Sequence, residues 1–464
     1  MDTATTPRTT QRSALVVATM ASFLVPFLGS SINVALPAIG TALDMTPVDL
    51  SWVATSFMLA SAVCLVPFGR VADMVGRKKI FLAGMGLFTL ASLGCGLARS
   101  GGALIAWRGF QGVGGAMIFG TGLAILTSVY PPGERGRVIG LNAAAVYTGL
   151  SVGPFVGGLL TQRWGWPSVF LVSLPLGLAS WGVAWRGLQG EWTGDRTGRF
   201  DGVGTAIYAL ALISLMTGLS VAHGAAGIAL VAVSLLAFAA FVAWERRVAH
   251  PVLDVALLAN NVVFARSNVA ALINYSATFA VTFLLSLHLQ YLRGLGPGSA
   301  GLVLLSQSVV MAAVSPLAGM LSDRLEPRIV ASTGMGLTVV GLLWLSFLHE
   351  QTPLANIVAA LMILGAGLGL FSSPNTHAVM SAVEQRNYGV ASATLGTMRL
   401  VGQMLSMGVA AAVLAGFVGH TPITPEVHAR FLAAERVTFL IFSALCVLGT
   451  LASLSRGKVR PVAN

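Results

Sequence analysis

The stretch Gly69-Arg-Val-Ala-Asp-Met-Val-Gly-Arg-Lys-Lys79 decides the fold, because it lies between two long apolar runs and is repeated. Its first five positions recur as Gly319-Met-Leu-Ser-Asp323, displaced by 250 residues and again followed by basic residues. Six membrane spans with their loops occupy about 200 residues. The displacement of 250 residues therefore leaves room for about two further spans. The repeat predicts two parallel halves of six spans with two spans inserted between them, which is a transporter architecture.

The composition of the 464-residue chain also predicts a polytopic membrane protein. Hydrophobic residues make up 55% of the chain and charged residues only 9%, whereas soluble proteins carry about 25% charged residues. These values exclude a soluble globular, disordered, collagen-like or disulfide-rich secreted protein. The net charge of +11 is therefore interpreted as a membrane-topology signal, and no nucleic-acid partner is expected.

Apolar runs long enough to cross a bilayer predict fourteen spans. They cover residues 14–40, 50–70, 79–98, 102–128, 138–160, 167–186, 202–222, 225–244, 262–292, 298–320, 329–348, 353–381, 389–417 and 431–454. An even number puts both termini on one side, where 20 of the 27 Lys and Arg residues lie, against five on the other side and two within spans. The positive-inside rule then predicts a multi-pass protein of the plasma or inner cell membrane with both termini cytoplasmic.

The predicted fold class is an all-α polytopic membrane protein with three parts. We expect a six-helix bundle in residues 1–187, the inserted spans 7 and 8 with their cytoplasmic links in residues 188–259, and a second six-helix bundle in residues 260–464.

The repeated stretch is interpreted as a loop that latches the cytoplasmic side. Asp73 can pair with Arg77 there, or face the positive end of a neighbouring helix. The second copy offers Asp323, with Arg324 or Arg328 as its partner. The alternative is a basic turn that sets topology only.

Span 4 contains Arg108 and Gln111, followed by glycines. A guanidinium in hydrocarbon costs at least about 2.5–3.5 kcal/mol, so Arg108 is expected to face the bundle interior. The alternative is an arginine near the outer end of the span that extends to water.

Span 5 has one face made of glycines. Gly149, Gly153 and Gly157 recur at four-residue spacing, Gly158 follows, and Pro154 kinks the helix. Such a flat face predicts close packing against another helix.

On these three motifs the chain resembles the major facilitator superfamily, in its fourteen-span drug/proton antiporter branch. Ile32-Asn-Val-Ala-Leu-Pro37, Pro132-Gly-Glu-Arg-Gly136 and Trp164-Gly-Trp-Pro-Ser-Val-Phe170 add to the similarity. The resemblance implies the major facilitator fold and proton-coupled export of small apolar or amphipathic compounds, such as drugs and antibiotics, by alternating access. The expected partners are a small-molecule substrate, protons and the lipid bilayer, for a monomer without enzymatic activity, cofactor or metal.

One departure from that branch concerns proton coupling. Its members usually carry an acid in span 1, where this chain reads Phe27-Leu-Gly-Ser-Ser31, and no acid lies near the middle of any predicted span. Another titratable group must then carry the proton, and we rank Asp73 first and His377 second. Arg108 is expected to act as a fixed positive charge that binds a hydrogen-bond acceptor of the substrate.

Polar residues in the spans that line the predicted cavity are candidate substrate contacts. They are Asn33, Arg108, Gln111, Asn274, Tyr275, His288, Gln307, Asn375, His377, Arg399 and Gln403. Each of them alone is more often an interhelical hydrogen bond than a ligand contact. Two other functions stay open: a uniporter or exchanger of an anionic metabolite or lipid, favoured by the arginines within spans, and a transport-dead sensor or membrane scaffold.

Overall fold

The computed structural model describes residues 8–193, 200–221, 224–248, 251, 253, 255–384, 388–419 and 421–457, and those ranges contain helices and no β-strand. Within them, 14 helices are long and apolar enough to cross a membrane. The prediction of fourteen spans is therefore confirmed.

The helices follow the predicted order along the chain. Their bounds are α1 (Arg8–Leu43), α2 (Pro47–Val75), α3 (Arg77–Gly96), α4 (Gly101–Val129), α5 (Pro132–Trp164), α6 (Pro167–Leu171), α7 (Ser173–Gly187), α8 (Gly202–Ser220), α9 (Ala225–Glu245), α10 (Val255–Asn260), α11 (Val262–Leu287), α12 (Pro297–Arg324), α13 (Pro327–Leu345), α14 (Leu354–Ser381), α15 (Tyr388–Phe417) and α16 (His428–Leu454). α6 and α7 together form span 6, α10 is a short connecting helix, and a π-helical turn, His288–Leu292, continues α11.

Local signals explain where several helices begin. The Thr46 hydroxyl accepts a hydrogen bond from the Asp49 backbone N–H, and the Asp49 carboxylate accepts one from the Thr46 backbone N–H, so a capping box starts α2. Asp201 and Asn261 cap α8 and α11 with a single bond each, in which the side-chain oxygen accepts from the backbone N–H three residues later. Proline occupies the first position of α5 and of several other helices. A backbone N–H at that position has no acceptor within the helix, so the lack of one in proline costs nothing.

The repeated stretch is mostly helical, which corrects the expectation of a loop. α2 continues through Gly69 and Asp73 to Val75, and α3 begins at Arg77. Gly76 alone makes the turn, with φ of +129°, a conformation that favours glycine. A Cβ at Gly76 would also lie 2.4 Å from the Glu191 carboxyl carbon, but that flexible side chain can move, so the backbone conformation is what requires glycine there.

The transmembrane helices pack in two groups. α1–α7 pack among themselves, chiefly α1 on α5 and α4 on both α2 and α3, while α11–α16 pack among themselves, chiefly α14 on both α12 and α13. The two groups meet where α5 contacts α12, α2 contacts α15 and α1 contacts α11. α8 and α9 pair with each other. α8 also lies against α2 and α15, beside the contact between those two helices.

The ends of the transmembrane helices form two opposite faces of the molecule. The chain-end face is the one at which α1 begins and α16 ends, and the far face is the one at which α1 ends and α16 begins. Since an even number of spans separates the two ends, both belong to the same face, which the sequence predicts to be cytoplasmic.

Candidate functional site

Side chains from both helix groups meet near the middle of the membrane-spanning region. The Tyr147 hydroxyl of α5 lies 3.3 Å from the Ser372 hydroxyl of α14, within hydrogen-bond distance. Tyr147 also lies within electrostatic range of Tyr275 of α11 and Arg399 of α15. These four residues are called the central polar cluster. Two of them, Tyr275 and Arg399, were predicted substrate contacts, whereas Tyr147 and Ser372 were not singled out.

Arg399 is the positively charged member of the central polar cluster. Its side chain is partly exposed, and among the described residues no carboxylate forms an ion pair with it. A cation in this setting gains most by meeting a hydrogen-bond acceptor. The cluster can therefore hold a carboxylate, phosphate or carbonyl oxygen of a ligand.

Arg108 is held inside the first helix group and does not extend to water. Its side chain is only 1% exposed, so the alternative of an arginine that extends to water is wrong. Its Nε donates to the Val53 carbonyl over 2.9 Å, and its Nη1 donates to the Gln111 side-chain oxygen. The guanidinium lies 4.5 Å from the centre of the Phe57 ring, which adds a cation–π contact.

Gln111 extends this network to a third helix. Its Nε2 donates to the Ser92 hydroxyl of α3 over 2.6 Å. Arg108, Gln111 and Ser92 thus join α2, α3 and α4, and Asn33 takes no part in the bonds of Arg108. In this conformation the arginine serves helix packing, and its role as a substrate contact stays a prediction.

Asn375 contacts a buried arginine near the chain-end face. Arg456 follows α16, is 1% exposed, and donates to the Asn375 side-chain oxygen over 2.9 Å and to the Ser267 hydroxyl over 3.3 Å. Burial lowers the pKa of Arg456 to about 10, and the neighbouring Arg328 adds to the shift. Arg456 therefore stays protonated at neutral pH. The sequence indicated only a topology charge here, because nothing in it shows that the Arg456 side chain is buried against α11 and α14.

The other predicted contacts of the second group are scattered. Asn274 is fully buried, and neither of its side-chain polar atoms has a hydrogen-bond partner among the described residues. Gln307 is buried and Gln403 half-buried. His377 is exposed, with Nε2 3.4 Å from the Ser381 hydroxyl. None of these four belongs to the central polar cluster.

His288 was predicted to line the cavity, but it is fully buried against α16. Its Nδ1 lies 2.8 Å from Oε2 of Glu435, which is itself 1% exposed. Sequence analysis missed Glu435, because it lies in the first third of α16 and only acids near the middle of a span were considered for the membrane interior. The signal that could have found it is an acid seven residues inside a helix that must cross the membrane.

The predicted latch joins helices of the first group. Arg77 Nε donates to Asp73 Oδ1 over 2.9 Å, and Arg77 Nη1 donates to the Ser128 hydroxyl over 2.7 Å and to the Ala124 carbonyl over 3.1 Å. The pair therefore ties the chain-end sides of α2, α3 and α4 together. In the second copy, the Asp323 side chain lies outside the described residues, while Arg324 is exposed and Arg328 half-buried.

The glycines of α5 contact two different partners. Gly149, Gly153 and Gly157 face α1, where a Cβ would lie 2.4 Å from the Phe23 carbonyl oxygen, 1.9 Å from the Ser30 hydroxyl and 2.6 Å from the Ser31 Cβ, respectively. Ser31 also donates to the Gly153 carbonyl over 2.9 Å.

Gly158 instead faces the second helix group. A Cβ there would lie 2.3 Å from the Pro297 carbonyl oxygen of α12. Reciprocally, a Cβ at Gly301 of α12 would lie 2.2 Å from the Pro154 carbonyl oxygen. The far-face halves of α5 and α12 therefore approach backbone to backbone.

The far face is also closed between α1 and α11. Gln290 Nε2 donates to the Val34 carbonyl over 2.9 Å, and the Tyr291 hydroxyl donates to the Pro37 carbonyl over 3.2 Å. A Cβ at Gly40 would lie 3.0 Å from the Tyr291 hydroxyl. Both Gln290 and Tyr291 belong to the π-helical turn, so this short element makes these hydrogen bonds between α1 and the second helix group.

Comparisons with known proteins agree on the family. Residues 18–244 and 268–463 match the Major Facilitator Superfamily. The chain is 26% identical to the riboflavin transporter RibZ of Clostridioides difficile, over 94% of this chain and 95% of that protein. It is 32% identical to the multidrug resistance protein Stp of Mycobacterium tuberculosis, over 89% of this chain and 77% of that protein.

A solved structure has the same fold. The crystal structure of a bacterial homologue of the human lysosomal transporter Spinster, in an inward-facing and unoccupied conformation, superposes with a TM-score of 0.68. The match covers 96% of this chain and 97% of that one at 16% sequence identity.

Proposed function

The chain belongs to the Major Facilitator Superfamily of transporters, and on that premise we propose that it exports small apolar or amphipathic compounds by proton-coupled antiport. The export runs from the cytoplasm or inner leaflet by alternating access. The name of the multidrug resistance relative supports this substrate range.

The observation that carries the proposal is that the central polar cluster draws on both helix groups. Tyr147 comes from the first group, and Tyr275, Ser372 and Arg399 come from the second. A substrate bound between the groups would contact both of them and be exposed to either face as they move, which is what alternating access requires. The two groups correspond to the bundles 1–187 and 260–464, with residues 188–259 as an insertion between them.

The orientation belongs to the same proposal. We place the chain-end face in the cytoplasm, on the evidence of the Lys and Arg distribution. The protein then lies in the plasma or inner membrane as a monomer, and its far face opens to the outside.

Transport by the purified chain in liposomes tests the proposal. Uptake of a cationic dye, a neutral amphipathic antibiotic and an anionic flavin is measured with and without a pH gradient. We expect accumulation of at least one probe that stops when a protonophore collapses the gradient. Transport that is independent of the pH gradient would indicate a uniporter or exchanger. If no probe is transported, a membrane scaffold would be favoured.

Asp73→Asn is expected to lower the initial transport rate about tenfold while the protein stays folded. The Asp73 and Arg77 side chains are 32% and 21% exposed, and pairs that water reaches contribute about 1 kcal/mol or less to stability. Without the carboxylate, Arg77 loses the partner that aims its guanidinium at Ser128 and Ala124. Transport and thermal unfolding are measured together, with the exposed Glu134→Gln at the same face as the control. Wild-type transport rates in Asp73→Asn would show that the stretch Gly69–Lys79 is a topology signal only.

A second candidate function, transport of an anionic substrate, is favoured by Arg399. Among the described residues no carboxylate neutralises this arginine, and no acid belongs to the central polar cluster. The relative named as a riboflavin transporter leaves the substrate class open.

Arg399→Gln separates the two candidates. A hydrogen bond to a charged group contributes about 1.5–3 kcal/mol, so the apparent affinity for the anionic flavin is expected to fall about 10–100-fold. Uptake of the cationic dye should stay unchanged. Arg436→Gln serves as the control, since Arg436 is exposed near the far face and its guanidinium lies 6.0 Å from the Phe347 ring. An equal loss for all three probes would exclude a charge-selective role for Arg399.

A further inference from the structure

His288 and Glu435 form a buried titratable pair that the transport cycle proposed above does not use. Their facing atoms, Nδ1 and Oε2, lie 2.8 Å apart, and the two side chains are 0% and 1% exposed. The other polar atom of each side chain, His288 Nε2 and Glu435 Oε1, has no hydrogen-bond partner among the described residues. The pair joins α11 to α16 about 10 Å from the far-face end of α16, at 1.5 Å per residue.

Burial makes the number of protons on this pair matter. With one proton the pair has no net charge, whether that proton lies on the imidazole or is shared with the carboxylate. Removing the proton leaves a bare carboxylate in the interior, and adding a second proton leaves an imidazolium without a counter-charge. Either change costs several kcal/mol in a buried site and much less once water reaches it. The closed far face therefore favours the pair with one proton.

The π-helical turn connects the pair to the closure of the far face. His288 is its first residue, and Gln290 and Tyr291 follow within the same turn. Gln290 and Tyr291 bind the backbone of α1, whereas His288 binds α16. A π-helical turn changes the rotational register of the residues after it. One short segment can thus contact α1 and α16 in different directions, and a shift of His288 would disturb the α1 contact.

Other charged groups surround the pair at the surface. Arg293, just after the π-helical turn, and Glu350, between α13 and α14, both act electrostatically on His288. Arg293 Nη1 donates to the Glu350 carbonyl, and Glu350 Oε1 lies 3.2 Å from His428 Nδ1. These three residues form a polar layer between the buried pair and the water at the far face, in which Glu350 is exposed and Arg293 and His428 are partly buried. Glu435 alone binds His288 directly.

We propose that His288 and Glu435 form a proton-binding site whose occupancy by one proton keeps the far face closed. The inference rests on the proposed alternating access. When the far face opens, water reaches the pair and the proton can leave at high pH; when a proton from that side returns, closure is favoured again. In an exporter whose far face is outside, binding of an external proton would thereby favour the return step that follows substrate release.

The test measures opening of the far face directly. Spin labels on Ala42→Cys and Ser299→Cys, both exposed positions at that face, report the distance between the two helix groups in liposomes, in a background where Cys64 is replaced by Ala. Loss of one proton changes the open-to-closed ratio by up to about tenfold per pH unit. We expect the open population of the wild type to rise as the pH is raised from about 6 to about 9.

Glu435→Gln should remove this dependence, because a neutral amide beside a neutral imidazole needs no proton. The open-to-closed ratio of this variant should no longer rise with pH; protonation of the water-exposed His288 at the acidic end of the range changes the ratio at most about fourfold, and in the opposite direction. Glu350→Gln is the matched control: it removes an exposed carboxylate from the polar layer and should keep the wild-type profile. Glu435→Asp, which keeps the acid, should restore the pH dependence.

The result needs no substrate, so it is independent of whether the export proposal holds. A wild-type distance that stays constant across this pH range would overturn the inference, even if Glu435→Gln failed to fold. So would a Glu435→Gln variant with the wild-type profile, or the same loss of pH dependence in Glu350→Gln. Failure of transport for every probe, with the pH-dependent distance intact, would reject the proposed function and not this site.

Discussion

Gly158→Val is expected to abolish transport while leaving the protein folded. A side chain at Gly158 would collide with the Pro297 carbonyl oxygen, only 2.3 Å from the added Cβ. That oxygen belongs to the backbone of the other helix group and cannot rotate away, so the two groups must separate at the far face. Overpacking costs about 1–3 kcal/mol; at the upper end the closed population falls about 100-fold.

Three measurements check this expectation. Initial transport rates should fall with the closed population, the distance between labels at positions 42 and 299 should increase, and the unfolding temperature should stay near that of the wild type. Gly140→Val on the same helix is the control, since a Cβ at Gly140 would meet nothing within 4 Å. Equal transport by Gly158→Val and Gly140→Val would show that the close approach of α5 and α12 is dispensable.

Gly153→Val gives the contrasting case. A Cβ at this position would lie 1.9 Å from the Ser30 hydroxyl and 2.8 Å from the Phe27 carbonyl oxygen, both inside the first helix group. Because this contact lies within one group, moving the groups apart cannot relieve it. The same type of substitution five residues away should therefore lower stability itself.

The fold could be predicted from the sequence because hydropathy and charge act locally. Each span must satisfy its own backbone hydrogen bonds in lipid, so an apolar run of about 20 residues is enough to identify it. The repeat at Gly69 and Gly319 then indicated the division of the chain. Helix ends were less predictable: α2 continues to Val75 because a helix does not stop where the hydrocarbon stops.

The side-chain partners could not be predicted, because they depend on the rotation of one helix against another. His288 and Glu435 are 147 residues apart, and nothing local indicates that they face each other. The glycines of α5 illustrate the same limit. Their spacing predicted a flat packing face, but only the structure separates Gly153, which contacts α1, from Gly158, which contacts α12.

Arg108 is the residue for which sequence and structure lead to different expectations. From the sequence it was a fixed charge for a substrate acceptor, so its loss would weaken the binding of neutral and anionic substrates selectively. In the structure its Nε and Nη1 bind the Val53 carbonyl and Gln111, its guanidinium lies over the Phe57 ring, and its Nη2 has no hydrogen-bond partner among the described residues. Its loss should then affect every substrate alike, through the packing of α2 against α4.

Arg108→Lys is therefore expected to reduce transport of the cationic, neutral and anionic probes by the same factor. Lysine keeps the charge but lacks the planar fork that serves two acceptors at once and stacks on an aromatic ring. Losing one charge-assisted bond costs about 1.5–3 kcal/mol, so rates should fall about 10–100-fold. Arg436→Lys, at an exposed cation near Phe347, should change nothing. A selective loss of the anionic probe in Arg108→Lys would instead mean that the arginine leaves its buried contacts during the cycle and binds the substrate.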